Sequence, residues 1–138
     1  MADPILLDAS AWLAFLLREE ASKPFEKFIE TCPLLAPELI RYETANGVLS
    51  AKRSNRPGIK NASLPQLLEM VWEFPIESVP LKTWWRKAES LVQKYPLTFY
   101  DATYIACAKV LDIPLLTLDR QVAQVSREED LDLVAQNV

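Results

Sequence analysis

The chain has 138 residues, half of them apolar, with 15 basic and 19 acidic side chains and a net charge of −4. That suits one soluble globular domain spanning residues 1–138, with enough chain to bury a core. The absence of histidine removes Ser-His-Asp and Cys-His nucleophiles, His-ligated zinc and paired-histidine ribonuclease chemistry, and two glycines, Gly47 and Gly58, are too few for a P-loop or a GxGxxG fingerprint.

Pro4–Asp8 reads as a strand, because the unbroken run Ile5-Leu6-Leu7 fits a strand covered on both faces. Ser10 is placed to cap a helix Ala11–Leu17. A second helix, Glu20–Thr31, gathers Phe25, Phe28 and Ile29 on one face. Leu34–Leu35 is a short strand, and Pro37 fits the first position of a third helix running to Arg53. Ser54–Ser63, polar and carrying Pro57-Gly58, is a loop. Leu64–Glu73 is a helix, Ile76–Val79 a strand, and Leu81–Tyr95 a long helix ended by Pro96. Thr98-x-x-Asp101 is a capping signature opening the apolar helix Tyr100–Leu111. Leu115–Leu118 is a buried strand, Arg120–Val125 a short helix and Leu131–Ala135 a last strand. Strands alternating with helices predict a three-layer α/β/α fold around a parallel sheet of four to five strands.

No Lys or Arg precedes the first apolar run, and Asp3 and Asp8 interrupt it, so no signal peptide is expected. No stretch reaches the roughly 20 apolar residues of a membrane span. Cys32 and Cys107 read as small buried side chains in a reducing cytoplasm.

Four carboxylates stand out. Asp8 and Asp119 each end a buried strand, and the strand C-termini of an open parallel sheet converge on one edge where ligands bind. The alternative for each is a helix cap. If the two strands are neighbours, roughly 5 Å apart, their carboxylates can share one ion. Asp101 is the third helical position after Thr98, favourable to the helix dipole and compatible with ligating a cation. Glu43 points about 160° away from Arg41, towards Leu39 and Ile40, and no basic residue lies three or four positions away. An acid on the inner side of a helix is costly unless paired or metal-bound. Carboxylates converging without a cation among them call for a metal ion. With those four neutralised by a cation, the rest of the chain is balanced, so an anionic substrate is acceptable. Glu128, Glu129, Asp130 and Asp132 read as a solvated run, and spacing does not choose whether one of them reaches the pocket.

Lys52, Arg53, Arg56 and Lys60 form a basic stretch free of acids, either a solvated loop or a phosphate contact flanking the cleft. Trp12, Phe15 and Leu16 lie on a helix apolar almost all round, which packs in the core or receives a partner. Trp84 and Trp85 are adjacent, so they cannot face the same way.

With these positions in hand, the chain resembles the PIN-domain nucleases, and among them the VapC-type toxins of prokaryotic toxin–antitoxin pairs. The resemblance is carried by Leu7-Asp8-Ala9-Ser10, by Glu43 within Pro37–Glu43, by Tyr100-Asp101-Ala102-Thr103-Tyr104 and by Pro114-Leu115-Leu116-Thr117-Leu118-Asp119. It implies an endoribonuclease dependent on Mg²⁺ or Mn²⁺, with Asp8, Glu43, Asp101 and Asp119 as the acidic cluster and Ser10 and Thr117 as supporting hydroxyls. It also implies a homodimer, an RNA substrate and neutralisation by a small antitoxin. Asp112 departs from the pattern, since such proteins often have glycine there. Three readings compete: a PIN nuclease of RNA processing, a small phosphatase of the haloacid dehalogenase type and a catalytically idle interaction module. The phosphatase type expects a second aspartate two residues after the first, where this chain has Ser10.

Overall fold

The structure, a computed structural model, describes residues 2–59 and 62–134. Its four strands are β1 (Ile5–Leu7), β2 (Leu34–Pro37), β3 (Glu77–Val79) and β4 (Leu115–Leu116). They form one parallel sheet in the order β3-β2-β1-β4. All three residues of β1 are buried, as expected of a strand paired on both sides and covered on both faces.

The helices are α1 (Ala9–Leu16), α2 (Glu26–Thr31), α3 (Leu39–Arg53), α4 (Leu64–Glu73), α5 (Leu81–Lys94), α6 (Phe99–Leu111) and α7 (Arg120–Glu128). Helix α3 packs on α1 and α4, while α6 packs on α5, α7 and the sheet. The result is the expected α/β/α layering. Trp12, Leu6, Ile40, Val48, Leu91 and Ile105 are among its fully buried side chains. Trp12 and Phe15 both meet the ring of Phe74, at 6.0 and 6.1 Å. Trp84 lies 6.3 Å from Phe99, while Trp85 is exposed with the Arg86 guanidinium 4.4 Å over its ring, so the two indoles do diverge. No described helix is long and apolar enough to cross a membrane.

Several boundaries differ from the sequence reading, each for a physical reason. Asp8, not Ser10, caps α1, accepting the Ala11 N–H at 3.0 Å. Pro24 withholds an N–H from the second helical stretch, which winds as a 3₁₀ helix over Glu20–Phe25 before α2 begins. Pro37 ends β2 instead of opening α3. Pairing with β3 carries the extended backbone through it, and the fixed φ of proline, about −65°, suits either conformation. Strand β4 stops at Leu116. Helix α7 continues to Glu128, with Ser126 buried and donating to the Val122 carbonyl at 2.7 Å. The expected last strand contributes a parallel bridge from Leu133 to Leu115, and Ala135 lies outside the described residues. Asp112 closes α6 at φ 55°. That left-handed C-cap explains why glycine is common there, and aspartate is among the residues that tolerate it. Cys107 is buried, with its thiol pushed up to about 12 by desolvation, and Cys32 is half-buried.

Two polar anchors were invisible in the pattern. The Arg41 guanidinium donates to the carbonyls of Val71, Phe74 and Ile76 at 2.7, 3.1 and 3.1 Å. It thereby satisfies carbonyls at the C-terminal end of α4 and ties α3 to the approach to β3. Glu129 is not part of a solvated run. Its carboxylate accepts from Tyr95 Oη at 2.7 Å and Lys94 Nζ at 3.0 Å, with Lys87 Nζ at 3.5 Å. Its backbone carbonyl takes Lys109 Nζ at 2.5 Å. The Tyr95 hydrogen bond, reinforced by Lys94 and Lys87, holds the Glu129 carboxyl down at about 2. Glu129 is therefore committed to joining α5, α6 and the end of α7.

Candidate active site

Strands β1 and β4 are neighbours, with Leu7 in register with Leu116. Asp8 and Thr117 therefore leave the sheet side by side at its C-terminal edge. Asp8 is buried and accepts from Ser10 Oγ at 2.7 Å through Oδ1 and from the Thr117 hydroxyl through Oδ2. Ser10 Oγ lies 3.3 Å from Thr117 Oγ1 and accepts the Leu118 N–H at 3.0 Å, while Thr117 Oγ1 accepts the Asp119 N–H at 3.0 Å. The two hydroxyls thus lace the end of β1 to the segment that carries Asp119. Asp119 caps α7, its Oδ1 accepting the Val122 N–H at 2.9 Å. The cap is the helix-capping alternative that the sequence offered for Asp119.

Asp101 sits in the first turn of α6, its N–H donating to Thr98 Oγ1 at 3.1 Å. Glu43 projects half-buried from the second turn of α3, and Tyr104 Oη donates to its Oε1 at 2.5 Å. Tyr104 is almost fully buried, three positions after Asp101 on α6.

Electrostatics bind the group together. Desolvation pushes the Asp8 carboxyl up to about 6, against the pull of its hydrogen bonds from Thr117, Ala11 and Ser10, and the Asp119 charge adds to the rise. Burial raises Asp101, again with help from Asp119, and burial also raises Glu43, with Asp101 adding to it and the Tyr104 hydrogen bond opposing it. Asp8 and Asp101 thus both feel Asp119, and Glu43 feels Asp101. Among the described residues, no Lys or Arg forms an ion pair with any of the four.

The donor set is all oxygen, which suits a hard divalent cation and not zinc or copper. Among the described residues, no three carboxylates stand close enough to form a ready-made cage. Mg²⁺ does not require one: it dehydrates reluctantly and is usually held by one or two carboxylates with waters completing the octahedron. The residues fit such an ion.

The basic stretch lies elsewhere. Lys52 and Arg53 are exposed at the end of α3, nine and ten positions from Glu43 and so about 14–15 Å along the helix. Arg56 is held by Glu19 at 2.8 Å, and Lys60 lies outside the described residues. Tyr104 was missed by sequence reasoning. The signal was its i+3 spacing from Asp101, which puts a hydroxyl on the acid-bearing face of an apolar helix.

Comparison with known proteins agrees with this architecture. The PIN domain family matches residues 5–128, and the chain belongs to that family. Within it, the chain is 32% identical over 124 residues to Ribonuclease VapC3 of Pyrobaculum aerophilum, covering 87% of this chain and 92% of that protein. The crystal structure of PAE2754, also from Pyrobaculum aerophilum, superposes with a TM-score of 0.62 at 28% identity, over 90% of this chain and 86% of that one. VapC20 of Mycobacterium tuberculosis, described as a sarcin-ricin-loop-cleaving toxin, gives 0.60 at 17% identity, over 88% and 94% of the two chains. FitAcB of Neisseria gonorrhoeae gives 0.52 at 16% identity, over 95% and 96%. The last two bear on the fold alone.

Proposed function

We propose that the protein is a divalent-metal-dependent endoribonuclease, the toxin of a toxin–antitoxin pair. What supports this reading is the electrostatic linkage of four acids that have no basic partner among the described residues, Asp119 acting on Asp8 and Asp101 and Asp101 on Glu43, in a PIN-family chain with a relative named as a ribonuclease. Asp8, Asp101, Asp119 and Glu43 would hold Mg²⁺ or Mn²⁺. When bound, such an ion supplies an activated water for in-line attack on a phosphodiester and neutralises charge growing on its oxygens. The chain's own part is positional. Ser10 and Thr117 fix the Asp8 rotamer, Thr98 fixes the turn that presents Asp101, and the α7 cap fixes Asp119. No covalent intermediate is called for, which suits a chain without histidine.

Lys52 and Arg53 are proposed to contact RNA phosphates beyond the cleft, each contact adding about 1 to the salt slope of binding. A groove of about 750 Å³ with Phe15, Leu67 and Met70 beside the charged Arg18, Lys23 and Glu26 is the proposed seat of the antitoxin. A homodimer is part of the same reading.

The test is RNA cleavage with purified protein in Mg²⁺, in Mn²⁺ and in EDTA, with Asp8→Asn and Asp101→Asn alongside. Cleavage that survives EDTA, or both variants at wild-type rate, would remove the proposal.

A further inference from the structure

We infer that Tyr104 is a positioning residue for the candidate metal centre, holding Glu43 in the orientation from which its carboxylate reaches the cation. The inference rests on the metal-dependent nuclease reading and adds to it a residue outside the four acids.

Glu43 differs from the other three acids. Asp8 and Asp119 are fixed by caps, and Asp101 is a short side chain anchored in a first helical turn. Glu43 has a longer side chain in the interior of α3, where it has no cap to hold it. A glutamate free to change rotamer must be ordered each time it binds an ion, and that entropy cost weakens a ligand site. Among the described residues, its constraint is one hydrogen bond across the helices, from Tyr104 Oη to Glu43 Oε1 at 2.5 Å. It leaves Oε2 for another partner.

Tyr104 suits this task. It is only 2% exposed, so its own rotamer is locked by packing. Its backbone belongs to α6, the helix that carries Asp101, so one rigid element sets the Asp101 carboxylate and the group that orients Glu43. Burial first, then the Glu43 bond and the charges of Glu43, Asp8 and Asp101, keep the phenol protonated well above the ordinary tyrosine range. A neutral donor that stays protonated among carboxylates also softens their mutual repulsion without competing as a cation.

The experiment is calorimetric titration of Mn²⁺ into wild type, Tyr104→Phe, Glu43→Ala and the double variant, with thermal unfolding in EDTA for each. Tyr104→Phe keeps the ring and removes only the donor. Losing a hydrogen bond to a charged group predicts Mn²⁺ affinity about tenfold weaker in Tyr104→Phe. In the Glu43→Ala background the same change should have no further effect on affinity, because its target is gone. Two results overturn the inference alone: unchanged Mn²⁺ affinity in Tyr104→Phe, or an equal loss with and without Glu43, which would mark Tyr104 as a packing residue. A wild-type protein that binds no Mn²⁺ overturns the metal-dependent reading and this inference together.

Discussion

Asp8 and Thr117 meet across the β1–β4 seam, the threonine hydroxyl donating to the aspartate carboxylate from 109 positions further along the chain. That contact fixes which way a buried acid faces. It does not remove the cost of burying the charge, since desolvation still prevails and carries the carboxyl up to about 6.

The first prediction follows from that rise. A carboxyl whose folded value exceeds its free value of 3.8 stabilises the fold below that pH, and the contribution is lost as pH rises through about 6. At pH 7.5 in EDTA, ionised Asp8 therefore costs about 3 kcal/mol. Asp8→Asn, which keeps the N-cap, should raise the melting temperature at pH 7.5 and change it little at pH 4. Saturating Mg²⁺ should stabilise wild type, by about 2.7 kcal/mol at one hundred times its dissociation constant, and the variant far less. Differential scanning fluorimetry over pH, with and without metal, reads both.

Glu129 has the opposite sign. Its carboxyl sits at about 2 against a free value of 4.5, so its contribution is whole above pH 4.5 and drains away as pH falls towards 2. Glu129→Gln should lower stability at neutral pH by about 1–3 kcal/mol and flatten the acid limb of the unfolding curve. Urea denaturation at pH 7 and pH 3 checks it.

Arg41 serves three carbonyls at once. Arg41→Ala should cost about 2–4 kcal/mol, because it strands acceptors at the end of α4. RNA cleavage per folded molecule should stay near wild type, which an active-site titration normalised to folded fraction would measure.

The two glycines should behave differently. A Cβ on Gly58 would lie 2.3 Å from the Leu17 carbonyl oxygen, a backbone atom that cannot step aside, so Gly58→Ala should destabilise clearly. A Cβ on Gly47 would meet the end of the Leu13 side chain at 2.7 Å, which can rotate away. The helix gains about 1 kcal/mol from Gly47→Ala, so the net change there should be small. Chemical denaturation of both variants decides.

Much of this architecture was legible from local pattern. Ile5-Leu6-Leu7 could only be a doubly covered strand, and Thr98-x-x-Asp101 named a helix start that the structure keeps. Asp8 was legible as the residue that leaves the first strand, because an acid directly after a buried apolar run must lie at the sheet's edge. What escaped depends on partners distant in sequence. Glu129 looked like one of four solvated acids until Lys94 and Tyr95 arrived from α5. The role of Arg41 left no local signal, since its acceptors are carbonyls thirty or more positions away. Lys52 and Arg53 read equally as solvated charges or phosphate contacts, because pattern alone did not show how far the direction of α3 carries them from Glu43.

The strand order β3-β2-β1-β4 sets a timetable for synthesis. The first strand leaves the ribosome about a hundred residues before the neighbour that leads into Thr117 and Asp119. Until then the nascent polypeptide carries Asp8 without the residues that complete its surroundings. Any RNA-cutting capacity built on this edge therefore has to wait until that neighbour has emerged and paired, so a half-made polypeptide cannot attack the RNA around it.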